Sequence, residues 1–141
     1  MANDTLLYGA PAGGAKAKID KKAASDFIAQ LLHGVTMLHM DHLAVTGPGS
    51  FAKHEALNVY TELRDLADGL AEEVMGAYDI GMEFAQGQFA LNGDPVADTQ
   101  AIYDWVERHR AVLGAKSHIQ NSVDGVLTAL AQTLFKLRRL Q

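Results

Sequence analysis

Apolar residues recur at three- and four-residue steps in four stretches of the chain, the spacing that lines side chains along one face of a helix. In the first stretch, beginning near Lys21, Ile28, Leu31, Val35, Leu38 and His42 share a face. Thr46-Gly47-Pro48-Gly49 cannot continue a helix, so this one is expected to end near Val45, with Ser50 as the N-cap of the next. Val59, Leu63, Leu66, Leu70 and Val74 form the second stripe and predict one continuous helix from Ser50 to Tyr78, on the order of 40 Å long. Asp94-Pro95 opens a third, whose stripe is Ile102, Trp105, Val106, His109 and Leu113, and Gly114 can stop it. The fourth carries Ile119, Val123, Val126, Leu130, Leu134 and Leu137, and ends in Lys136, Arg138 and Arg139, the favourable sign for a helix C-terminus. No stretch alternates as a strand would.

Between the second and third helices, residues 79–93 hold Gly81, Gly87 and Gly93 among scattered Met82, Phe84, Phe89 and Leu91, and read as a long connection with at most one helical turn. Residues 1–20 contain Gly9, Pro11, Gly13 and Gly14 with few large apolar groups, and read as a flexible N-terminal arm. Residues 21–141 are then one domain. Two short-turn helix pairs joined by a long link predict an all-α, ferritin-like four-helix bundle with one crossover connection between the second and third helices.

Composition narrows the chemistry. The 141 residues are 48% apolar and 21% charged, as expected of a globular domain, and no run approaches the ~18 apolar residues that cross a bilayer. With no basic-then-apolar leader at the start, the expected compartment is the cytoplasm. The chain has no cysteine, which excludes disulfides, thiolate metal sites and thiol nucleophiles. Its formal charge of −5 disfavours nucleic acid as the main partner. Lys16, Lys18, Lys21 and Lys22 are clustered at the end of the arm and give residues 1–22 a net charge of +2.

Three of the six histidines, His39, His42 and His54, lie within sixteen residues. His39 and His42 are three apart and project from one side of the first helix, and His42 continues its apolar stripe. On a straight second helix His54, Asn58, Thr61, Asp65, Asp68 and Glu72 fall close to one line, opposite the Leu63–Leu70 stripe. Such a line is either a solvated face or a row of imidazole and carboxylate donors. As donors, nitrogen and oxygen without sulfur suit iron, manganese or zinc. Spacing alone leaves both readings open.

The stretch from His39 to Glu55 resembles the signature of the Dps proteins, miniferritins that protect DNA in starved cells. It has His42, Gly47-Pro48, Phe51 and the pair His54-Glu55, with the two histidines twelve residues apart as in that family, and Lys16, Lys18, Lys21 and Lys22 resemble the Lys-rich arm with which such proteins often contact DNA, here expected to bind weakly. Asp68 and Glu72 resemble the remaining family ligands. The resemblance implies a four-helix subunit, two-fold dimers, and a hollow shell of twelve 15.2 kDa chains. It implies a metal site shared across each dimer, with His42 and His54 from one subunit and Asp68 and Glu72 from the other. Such sites oxidise ferrous iron, usually with peroxide, and store the product; iron is thus the expected metal, with zinc or manganese as alternatives.

The sequence departs from that pattern in three places. Asn58 stands where the family has an Asp, the His54–Asp68 interval is one residue short, and Leu43 stands where a Trp usually follows the first His. A one-residue deletion turns everything beyond it by about 100° unless the helix carries a compensating irregularity. His39-x-x-His42-Leu43, Ala52–Leu57 and Ile119-Gln120-Asn121 through Leu137 are similar to an uncharacterised Dps-like family common in tailed bacteriophages. That likeness implies the host cytoplasm or the virion as the place of work. It adds His39, and more weakly Asn121 and Asp124 on the fourth helix, as site candidates; Asn58 and Asp65 of the polar line are further weaker candidates. Two functions follow: a metal-binding shell protein with possible ferroxidase activity, or a phage structural or interaction protein with virion partners that keeps the fold without turnover. No nucleophile–base arrangement points to a hydrolase.

Overall fold

A computed structural model describes residues 18–85 and 92–140. The expected arm up to residue 17, with Lys16, and the middle of the long link, with Gly87 and Phe89, lie outside the described residues. Described residues form five α-helices and no strand: α1 (Lys21–Ala44), α2 (Ser50–Leu57), α3 (Val59–Tyr78), α4 (Pro95–His109) and α5 (Ser117–Arg139), with a 3₁₀ turn at Arg110–Leu113 after α4.

Local chemistry explains most boundaries. Asp20 caps α1, its carboxylate accepting from the Lys22 and Ala23 amides, and Asp94 caps α4 through Val96 and Ala97, with Pro95 in the first turn. Ser50 is not the cap of α2. It is the first helical residue, because Gly47 and Gly49 both take left-handed backbone (φ 85° and 76°) and reverse the chain around Pro48. The Ser50 amide closes that turn on the Gly47 carbonyl at 3.1 Å. At the other end of the bundle, Gly114 (φ 83°) turns the chain into α5 where the Tyr78 hydroxyl donates to the Leu113 carbonyl at 3.1 Å.

Expected and observed structure differ inside the second helix. It is broken at Asn58, where the winding tightens to three residues per turn: the Asn58 amide donates to the Glu55 carbonyl and the Thr61 amide to the Asn58 carbonyl, each at 3.2 Å. The straight polar line from His54 to Glu72 is therefore cut at its second member.

The apolar stripes meet in one core. Every stripe residue of α1 and α5 is buried, as are Leu63, Leu70 and Val74 of α3 and Ile102 and Val106 of α4. Helix α1 packs beside α3 and α4, while α5 packs beside α2, α3 and α4. Along α1, Phe27 meets Trp105 (centroids 5.1 Å apart), Gly34 faces Ile102, and Asp41 reaches Asp98, so α4 runs antiparallel to α1. His118 bonds Glu73 near the start of α5, and Arg138 bonds Gln100 near its end. Helix α3 thus finishes at the end of the bundle where α1 begins, and α4 starts at the opposite end. The link leaves α3 beside the start of α1, where the Glu83 amide donates to Ser25 Oγ (3.0 Å) and Lys21 pairs with Glu83 (2.9 Å). From Glu83 the link has eleven residues in which to reach Asp94, about 36 Å at about 3.3 Å each, comparable to the length of α1.

Candidate functional site

The turn after α1 sets His42 and His54 face to face. Their rings stack with centroids 3.7 Å apart and planes 22° from parallel. His42 Nδ1 bonds the His54 carbonyl at 2.8 Å, and His54 Nδ1 bonds the His42 carbonyl at 2.7 Å. A carbonyl oxygen can only accept, so both Nδ1 atoms carry a proton, and in the neutral rings both lone pairs sit on Nε2. Neither Nε2 has a hydrogen-bond partner among the described residues.

Both acceptors exist because helices end here. The His42 carbonyl belongs to the last turn of α1, whose final carbonyls have no helical amide to receive. The His54 carbonyl would meet the Asn58 amide in a continuous helix, but the tightened turn sends that amide to Glu55 and Ala56 instead. The break at Asn58 thus supplies the acceptor that fixes His42. Burial supplies the rest: His42 is 8% exposed, and His54 is half-buried.

The other candidates are placed as follows. His39 is half-buried and lies flat on Tyr60 (3.8 Å, 6°), with its ring centroid 6.4 Å from that of His42. Asn58 is exposed and lines a groove of about 210 Å³ shared with Gln132, Thr133 and Lys136 of α5. Asp65, Asp68 and Glu72 are exposed along α3. Fourteen residues of helix put Asp68 about 20 Å from His54 along the axis, so one chain does not bring them together. Among the described residues no three His, Asp or Glu side chains of one chain form a metal-holding group. Of the basic cluster, Lys18 is exposed, Lys21 pairs with Glu83, and Lys22 pairs with Asp26 at 2.8 Å. Asp124 pairs with Arg110 at 2.6 Å, and Asn121 is exposed.

A second constellation was not foreseen. Asp41 and Asp98 meet in the core between α1 and α4, 2% and 0% exposed. Asp41 Oδ2 and both Asp98 oxygens lack a hydrogen-bond partner among the described residues. Burial first, then the neighbouring Asp98 carboxyl and the charge of Asp94, push the Asp41 carboxyl up to about 7. The signal was present in the pattern: Asp98 lies four residues before Ile102 on the α4 stripe, and Asp41 three after Leu38 on that of α1. An acid on an apolar face is the feature that would have found them.

A protein-family model described as "Family of unknown function (DUF5856)" matches residues 42–137, from the first histidine of the pair almost to the end of α5. No curated protein and no solved structure matches the chain.

Proposed function

The chain belongs to the DUF5856 family, and from its own residues we propose that it is a Dps-like, iron-sequestering protein that works as an assembly of identical subunits. The carrying observation is the reciprocal histidine pair. Metal-binding imidazoles characteristically donate their other N–H to a carbonyl or carboxylate, which fixes the tautomer and aims the free nitrogen. Here two rings do so for each other. In the assembly, Asp68 and Glu72 of a second copy complete the donor set, and iron is the substrate. Nitrogen and carboxylate donors bind Fe(II) loosely, leave positions open for peroxide or oxygen, and favour the ferric ion formed when each Fe(II) gives up one electron. Zinc and manganese compete for the same donors. A dodecameric shell built from two-fold dimers is the assembly this reading expects.

Three features support it. The helix order, two short-turn pairs with a long interval between them, is compatible with the one-crossover connectivity of ferritin-like bundles. Met40, Leu43 and Phe51 flank the histidines and are 49%, 71% and 77% exposed, an apolar rim suited to cover by another subunit. The tightened turn at Asn58 offsets the short His54–Asp68 interval: over about three residues it adds roughly 60° of rotation and about 1.5 Å of rise, the rise of the missing residue. DNA binding is at most weak on this account, since Lys21 and Lys22 already have carboxylate partners.

The test is iron uptake by two double variants. Asp68→Ala with Glu72→Ala alters only exposed side chains, so it keeps the melting temperature and loses uptake. His42→Ala with His54→Ala loses uptake while retaining helicity. Full uptake by either folded variant overturns the ligand assignment. The neutral Asn58, facing the α5 groove, favours a second reading: a phage structural or interaction protein, in which case ferrous iron triggers no consumption of peroxide or oxygen.

A further inference from the structure

The acid pair in the core has no part in the imidazole site. Carboxylates are rarely buried without donors, because each desolvated charge costs several kcal/mol. Three of the four oxygens of Asp41 and Asp98 lack a donor among the described residues, although both side chains are almost fully buried. Asp98 also lines a pocket of about 200 Å³ between α1 and α4, together with Gln30, Asn92, Trp105 and Arg108. That pocket has room for several waters, and two of its walls carry amide oxygens.

We propose that Asp41 and Asp98 are the anionic end of a second cation site, which takes a hard divalent ion (magnesium, calcium or manganese) through oxygen donors alone. Hard cations prefer carboxylates, carbonyls and water, and magnesium in particular keeps several waters while binding only one or two carboxylates. The two carboxylates supply the charge, and the pocket holds the remaining water ligands and the entry route. Arg108 lines the same pocket, with its Nε donating to the Asp104 carbonyl at 3.4 Å, and its charge opposes the ion and limits affinity. Histidine plays no part in the donor set, so the site distinguishes itself from the proposed iron site by metal preference.

Trp105 is the only tryptophan of the sequence and lines this pocket, so terbium(III) serves as the probe, read by its emission on tryptophan excitation. The full chain is expected to give saturable sensitised emission that calcium displaces. Asp98→Asn, which keeps the shape of the side chain, weakens terbium binding by at least about tenfold, because the ion loses half its protein charge. Arg108→Gln, at an exposed residue, strengthens it. Asp65→Asn with Asp68→Asn and Glu72→Gln leaves the signal unchanged, as does His42→Ala with His54→Ala, which separates this site from the iron site. Absence of sensitised emission overturns the proposal. So does emission that survives in folded Asp98→Asn or disappears with the exposed acidic row. If Asp98→Asn fails to fold, an unchanged affinity in Arg108→Gln overturns it equally.

Discussion

His42 and His54 do two things at once. As a clasp they satisfy two helix-end carbonyls and stack two rings. His54→Ala should therefore cost about 1–3 kcal/mol of stability, seen as a lower melting temperature, through one lost bond and one carbonyl left without its donor. For the proposed metal site they keep both Nε2 atoms free. A chain stabilised to the same extent by His54→Gln would have the clasp without the metal site, so comparing melting temperature with iron uptake in that variant separates the two roles. Asp41 makes a different prediction. Its carboxyl is held protonated in the folded chain up to about pH 7, whereas an unfolded aspartate ionises near 3.8. Folding then takes up a proton between those values, so stability is greatest below about pH 4 and falls as pH rises towards 7. Asp98→Asn removes the like charge and should flatten this part of the melting-temperature profile; an unchanged slope would contradict the assignment. At this scale the sequence exposed the histidines by their spacing. Their mutual hydrogen bonds were not legible, because those depend on where two helices stop.

Among the elements, the four amphipathic stripes were readable because each buries one face, and the caps Asp94-Pro95 and Gly114 were readable from backbone chemistry. The break between α2 and α3 was not. Asn58 is neither Gly nor Pro, and the apolar stripe continues through Leu63, so nothing local announces the tightened turn. Its consequence reaches the site, since it frees the His54 carbonyl and re-aims the acids of α3. Gly114 offers a sharp test of the opposite bundle end. A Cβ there would run into the Tyr78 hydroxyl, and the backbone is left-handed, so Gly114→Ala should destabilise by at least about 1–2 kcal/mol. A melting temperature equal to the parent's would mean that the α4–α5 corner is looser than the Tyr78–Leu113 bond implies.

For the whole molecule, topology and assembly separate. The bundle order followed from loop lengths: short turns pair α1 with the α2–α3 segment and α4 with α5, and the long link joins diagonal helices. Assembly could not be read the same way, because a surface row of carboxylates looks alike whether it faces water or a second copy. What favours the second copy is geometry within one chain: among the described residues no three His, Asp or Glu side chains gather into a metal-holding group, and Asp68 lies about 20 Å along the bundle from His54. On the proposed function, association brings them together. Native mass spectrometry of the purified chain, before and after ferrous iron, measures subunit number and bound metal in one experiment. A multiple of two chains, twelve for a closed shell, that gains iron in proportion to its subunits is the predicted result. A monomer, or an oligomer whose mass does not change with iron, would contradict the account.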